Sequence, residues 1–157
     1  MRSKRKPILK SFYMKTFRIK THRASLTYSE PHFFILNKGL NSGKPLKESC
    51  PNCFVCTTTD EIHRDLMFWL CFALWKSKSF HYYLKGSVIP FITIGELKTH
   101  LQKSESIASR NFERFNQSIQ ALKSLELNEQ KLKLTLKLID TAKKAILRQL
   151  MYKSDAF

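Results

Sequence analysis

Ten consecutive apolar residues, Leu66 to Trp75 (LMFWLCFALW), set the strongest limit on how this chain folds. A bilayer span needs about 20 such residues, so the run predicts a helix buried in protein rather than in lipid. Asp60, with Glu61 behind it, suits the N-cap, where a carboxylate meets orphan amides and the positive end of the helix dipole. Lys76 and Lys78 place cations at the other end. Downstream, Thr93 and Glu96 form an S/T-x-x-E capping box, with Ile92 and Leu97 at the positions of a hydrophobic staple. From Ile62 to Leu101 the chain therefore reads as a buried helix, an aromatic connector, a short strand containing Pro90, and a helix start.

Sheet and loop signals precede this stretch. Phe17 and Ile19 alternate with Arg18 and Lys20, the period-two pattern of a strand with one wet, basic face. HFFILN, after Pro31, is a second and more apolar strand. The segment Asn37 to Pro45 (NKGLNSGKP) holds two of only four glycines, which supply positive φ or close backbone approach. Cys50 to Thr59 is a short irregular or strand-like piece.

Helical signals follow it. Past Thr93 there is one glycine and no proline, and Leu97, Leu101, Phe112, Phe115, Ile119 and Leu122 keep helical spacing. Leu125, Leu132, Ile139 and Ile146 recur every seven residues, with Leu136 and Leu150 between them and Lys143 interrupting, a pattern of coiled-coil packing. Asn128 before Glu129 and Gln130 offers an N-cap, so a hairpin or sharp bend is expected at Leu127-Asn128. The fold class is α+β: a small mixed β/loop domain around one buried helix, then a C-terminal helical region. The boundaries expected are a basic mobile arm over 1–11, the α+β domain over 12–100, and the helical region over 101–157.

An apolar fraction of 43% argues against disorder, and the net charge of +16 points to a polyanionic partner. The first 29 residues carry nine Lys or Arg and no acid. Lys10 and Lys15 interrupt any apolar run there, which speaks against a secretory signal; with no spanning segment, the expected location is the cytoplasm, with no membrane partner. Cysteines in that compartment are reduced thiols or metal ligands. Cys50, Cys53 and Cys56 have the two-residue spacing that wraps zinc, and His63 is the nearest fourth ligand, but no second C-x-x-C exists. The expectation is therefore no cofactor, zinc on those four residues being the alternative.

GLNSGK is one residue short of a nucleotide-binding phosphate loop, and Pro45 stands where the magnesium-binding hydroxyl belongs. Either a structural turn or a loop touching nucleic-acid phosphate through its amides, Lys38 and Lys44 fits better. Phe80, His81, Tyr82 and Tyr83 suit core packing more than base stacking. The five histidines form no H-x-x-x-H pair, no nucleophile–base spacing stands out, and no catalytic signature is present, so the chain does not read as an enzyme.

The central stretch resembles the end of a target-recognition domain in specificity subunits of type I restriction–modification systems. The residues that carry this are Lys76-Ser77 with Phe80, Gly86-Ser87 with Pro90 and Ile92, and Glu96-Leu97-Lys98. KKAILRQLM, Lys143 to Met151, resembles the basic end of the helix that follows such a domain. The proline-rich segment and glutamine pair that usually open that helix are missing here. As a whole, through FFILNKGLNSGKPL and CPNCF, the chain is more similar to an uncharacterised family of small bacterial and phage proteins. Together the resemblances imply a free-standing relative of a DNA target-recognition module.

The function expected is non-catalytic nucleic-acid binding, DNA foremost. Phosphate contacts are expected from Arg2, Lys4, Arg5, Lys6, Lys15, Arg18, Lys20, Arg23, Lys38 and Lys44. The alternative is a protein-interaction adaptor, or a mimic of a specificity subunit, acting on a restriction–modification or phage complex. A protein partner or a homodimer through the C-terminal helices is a further expectation.

Overall fold

The structure is a computed structural model and describes residues 16–152. Arg2, Lys4, Arg5, Lys6 and Lys15, with the basic arm they belong to, lie outside the described residues. Four short strands come first: β1 (Arg18–Thr21), β2 (His32–Leu36), β3 (Pro45–Leu46) and β4 (Cys53–Thr57). They form one antiparallel sheet in the order β1-β4-β2-β3. Three helices follow: α1 (Glu61–Lys76), α2 (Ile94–Arg110) and α3 (Phe112–Tyr152), with a 3-10 turn at Ser79–Tyr83. This is the expected α+β class.

Side chains alternate across a strand, so each strand feeds two faces. Phe17, Ile19, Phe33, Ile35, Phe54 and Cys56 point inward and share one core with Met67, Leu70, Cys71, Phe80, Ile92, Leu97 and Leu101. Helices α1 and α2 thus cover one face of the sheet. Phe34, Cys53 and Val55 point the other way and pack with Tyr28, Leu46 and Cys50.

Helix α1 starts where expected: the Asp60 carboxylate accepts from the His63 amide at 2.8 Å. No residue of the ten-residue apolar run is exposed. Its buried stripe of His63, Leu66, Met67, Leu70 and Cys71 has the spacing of one helix face. Phe68, Trp69, Phe72 and Trp75 form a ladder of rings 5.2–5.7 Å apart beside it. Lys78 ends the turn after α1 in the left-handed region, with φ of 60°. The Thr93 hydroxyl accepts from the Glu96 amide at 3.3 Å and meets the Glu96 carboxylate at 2.8 Å, so the capping box opens α2.

Two local expectations fail. The piece from Gly86 to Ile92 is not a strand. It is a loop closed by two backbone hydrogen bonds between Lys85 and Phe91, at 2.9 and 2.8 Å. Pro90 has no N–H to extend a ladder, and Gly86 turns the chain with φ of 89°. Nor does the chain bend at Leu127-Asn128, where α3 runs on unbroken. The break falls at Asn111, whose side chain caps the Arg114 amide at 3.2 Å.

The chain divides into two compact units, one ending at Phe115 and one beginning at Asn116. In the second, every side chain from 131 to 152 is exposed.

Candidate nucleic-acid interface

The outer face of the sheet brings basic and aromatic side chains together. Along β1, Phe17 and Ile19 are buried while Arg18 and Lys20 stand in solvent. Register places Arg18 in one row with Thr57 and His32, and Lys20 in the next with Val55, Phe34 and Leu46. Adjacent strands are about 4.8 Å apart, so Arg18 and His32 sit roughly 10 Å from each other across β4.

Spanning these rows is a ring cluster that includes His32 of the first and Phe34 of the second. His22 meets Phe34 edge-on at 5.0 Å between ring centres and His32 meets Phe34 edge-on at 5.3 Å. Tyr28 caps both, 5.8 Å from His22 and 5.2 Å from His32. The tyrosine hydroxyl lies 3.1 Å from His22 Nδ1, and His32 Nδ1 lies 2.8 Å from the Glu30 carbonyl oxygen. Phe34 is buried, whereas His22, Tyr28 and His32 are half-buried. Arg23 is exposed in the loop that carries Tyr28. The sequence reading named the cations of this face but missed its rings, because Tyr28 reaches Phe34 only through the loop between β1 and β2.

Lys38 and Lys44 are elsewhere. Lys44 precedes β3, the edge opposite β1, and its ammonium sits 5.1 Å from the centre of the Trp75 ring on α1. Lys38 is exposed in a loop bridged to Phe91. Four amides of this loop are engaged internally. Gly39 N donates to Pro90, Ser42 N to Gly39, Gly43 N to Leu36 and Lys44 N to Asn41, at 2.7–3.0 Å. A donor held in such a bond does not serve a phosphate, so a contact from this loop would come from its lysines rather than from these four amides. Of the expected contacts, Arg18, Lys20 and Arg23 share a region, and Lys38 and Lys44 stand apart from it.

The cysteines are likewise separated. Cys50 and Cys53 are neighbours: the Cys50 amide donates to Cys53 Sγ at 3.3 Å, and Sγ lies 2.9 Å from the Cys50 carbonyl. Cys56 belongs to the opposite face of the same strand, in the core under the helices. An odd spacing in a strand sends two side chains to opposite sides, which the C-x-x-C spacing alone does not reveal. His63 Nε2 is directed at Glu105 Oε1, 3.1 Å away. Among the described residues, no three His, Cys, Asp or Glu side chains converge as a metal site requires. Burial raises the Cys53 thiol to about 11 and pushes Cys56 and Cys71 far above the ordinary cysteine value. Thiols so protonated are poor nucleophiles.

The aromatic connector splits. Phe80 is wholly buried and Tyr83 packs on His100 at 4.8 Å, while His81 and Tyr82 face solvent.

The structure defines a small α+β protein, its antiparallel sheet covered by helices on one face and basic and aromatic on the other. Residues 19–149 match the model of a family described as Family of unknown function (DUF6943), and the chain belongs to that family. A comparison with curated proteins finds none that matches. No described helix is long and apolar enough to cross a membrane.

Proposed function

We propose that this protein binds nucleic acid, DNA foremost, without catalysing a reaction, and that the outer face of the sheet is its contact surface. One observation carries the reading: Arg18 and Lys20 stand in solvent beside a cluster of half-buried rings formed by His22, Tyr28 and His32. A guanidinium and an ammonium on one strand suit a phosphate backbone, and ring faces beside them suit bases. The net charge of +16 supports attraction to a polyanion. The resemblance to a target-recognition domain favours DNA.

A second reading, a protein adaptor acting on a restriction–modification or phage complex, is favoured by a different surface. Leu40, Val88 and Ile89 are 63–90% exposed in loops of the first unit, and Tyr82 is 94% exposed in the 3-10 turn. Solvent-facing apolar side chains of this kind suit a protein partner.

A salt titration of binding to labelled duplex and single-stranded DNA separates the two. Each phosphate neutralised on duplex DNA contributes about −0.9 to the slope of log K against log salt. Alanine at Arg18, Lys20 and Arg23 together flattens that slope by about 2 to 3. Tyr28→Ala weakens the single strand more than the duplex. A wild-type protein that binds neither polymer at about 50 mM salt, where phosphate contacts are strongest, overturns the nucleic-acid reading and leaves the adaptor.

A further inference from the structure

We propose that α3 pairs with α3 of a second copy of this chain, and that the two helices run antiparallel. The first ground is an apolar seam with no cover. Leu125, Leu132, Ile139 and Ile146 are 47–66% exposed and recur every seven residues along one face. Leu122, Leu136 and Leu150 belong to the companion row of that seam, Leu136 and Leu150 each 66% exposed. These are the d and a positions of a heptad repeat sustained over four heptads, a length at which such repeats form coiled coils. Leu127, Leu134 and Leu138 lie on the far side of the helix and take no part in it.

The second ground identifies the occupant. Glu129 and Lys143 take the remaining a positions, so acid and base interrupt the seam one heptad on either side of Leu136. In a parallel homodimer an a residue faces its own copy, which would set Glu129 against Glu129 and Lys143 against Lys143 across a desolvated seam. In an antiparallel homodimer a residues pack against d residues of the second copy; with Leu136 set against Ile139, Glu129 and Lys143 of the second copy fall in successive layers of the seam, side by side, twice over.

The flanking residues choose the same register independently. Residues Lys133 and Asp140 occupy successive e positions, and e faces e when helices run antiparallel. The register that sets Leu136 against Ile139 brings Lys133 within reach of Asp140 of the second copy, and it is the same register that sets Glu129 beside Lys143. Within one helix Lys133 pairs with Glu129 and Lys144 with Asp140, both at the exposed surface. Such surface pairs contribute little and exchange partners readily. The other flank, g, carries Asn128, Thr135, Ala142 and Gln149, which bring no opposing charge.

Sedimentation of the full chain, followed by charge reversal and cross-linking, tests the proposal. The wild type sediments as two copies at micromolar concentration. Glu129→Lys puts lysine against lysine and weakens association by about tenfold or more, whereas Glu129→Lys with Lys143→Glu restores it. Far-UV circular dichroism checks that the variants stay folded. For orientation, single cysteines are placed in a Cys50→Ser background, Cys50 being the one native cysteine that is not buried. Glu129→Cys and Ile146→Cys, an a position and the d position it faces, form a disulfide when the two proteins are mixed, and neither forms one with itself. A monomeric wild type, or self-linking of Glu129→Cys, overturns the proposal.

Discussion

His63 Nε2 stands 3.1 Å from Glu105 Oε1, tying the first turn of α1 to the C-terminal half of α2 across 42 positions of sequence. The imidazole is wholly buried and the carboxylate nearly so, at 0% and 16% exposure. The contact joins the two helices that cover the sheet's inner face, and thus supports the core on which the outer face is built. Glu105→Ala should cost about 1–3 kcal/mol, the usual penalty for taking a hydrogen-bond partner from a buried polar group. Urea melts check it; equal midpoints in the two proteins would make the pair incidental.

The loop between β2 and β3 gives a graded test of backbone chemistry. Gly39 and Gly43 have φ of +91° and +93°, where a side chain is strained. A Cβ on Gly43 would also stand 2.7 Å from Cγ of the buried Phe80, and closer still to its Cδ2. One on Gly39 would meet open space. Gly39→Ala should therefore cost about 1–2 kcal/mol from strain alone, and Gly43→Ala about 2–5 kcal/mol from strain plus overpacking. Adding Phe80→Leu to Gly43→Ala should return part of the difference, which a double-mutant cycle measures.

At the start of α2, Thr93→Ala should destabilise the protein by about 1 kcal/mol through loss of the cap. The Thr93 hydroxyl and, next, the Lys85 ammonium hold the Glu96 carboxyl below its ordinary value. A carboxyl depressed by folding stabilises the fold above its ordinary pKa, and that contribution fades as pH falls through the depressed value. Thr93→Ala should therefore shrink the acid-side loss of stability, seen as a shallower decline in the thermal midpoint below neutral pH.

His100 predicts a second pH effect. Its ring lies between Phe80 at 5.4 Å and Tyr83 at 4.8 Å, in a pocket shared with Glu96, Thr99 and Lys103. Burial, then the Lys103 charge, holds its pKa below 6.5. Folding thus favours the neutral ring: the full contribution is present above the ordinary histidine pKa and is lost as pH falls through the depressed one. His100→Phe keeps the ring packing and removes the proton. The stability of wild type minus variant should fall as pH drops from about 7.5 to about 5, the range in which histidine titrates. A constant difference would mean the imidazole does not titrate with folding.

The elements themselves were legible because their signals are local. Asp60 and Thr93 cap their helices through atoms three residues away, and Phe17 to Lys20 alternates because a strand turns its side chains over at every residue. Cap chemistry alone, however, did not locate the break between α2 and α3. Asn111 and Asn128 carry the same capping group, and a cap worth about 1 kcal/mol does not decide between two sites. The chain breaks at Asn111 and runs helical through Asn128. Tertiary structure alone decided which side chains meet. Sheet register set Arg18 level with His32 and Lys20 level with Phe34, across β4, a strand that comes later in the sequence than either. Strand alternation sent Cys53 and Cys56 to opposite faces, and packing of α1 against α2 brought His63 to Glu105. A short spacing in sequence becomes a contact only when the backbone between turns the right way. A long one becomes a contact only when burial of the shared core holds the two elements together.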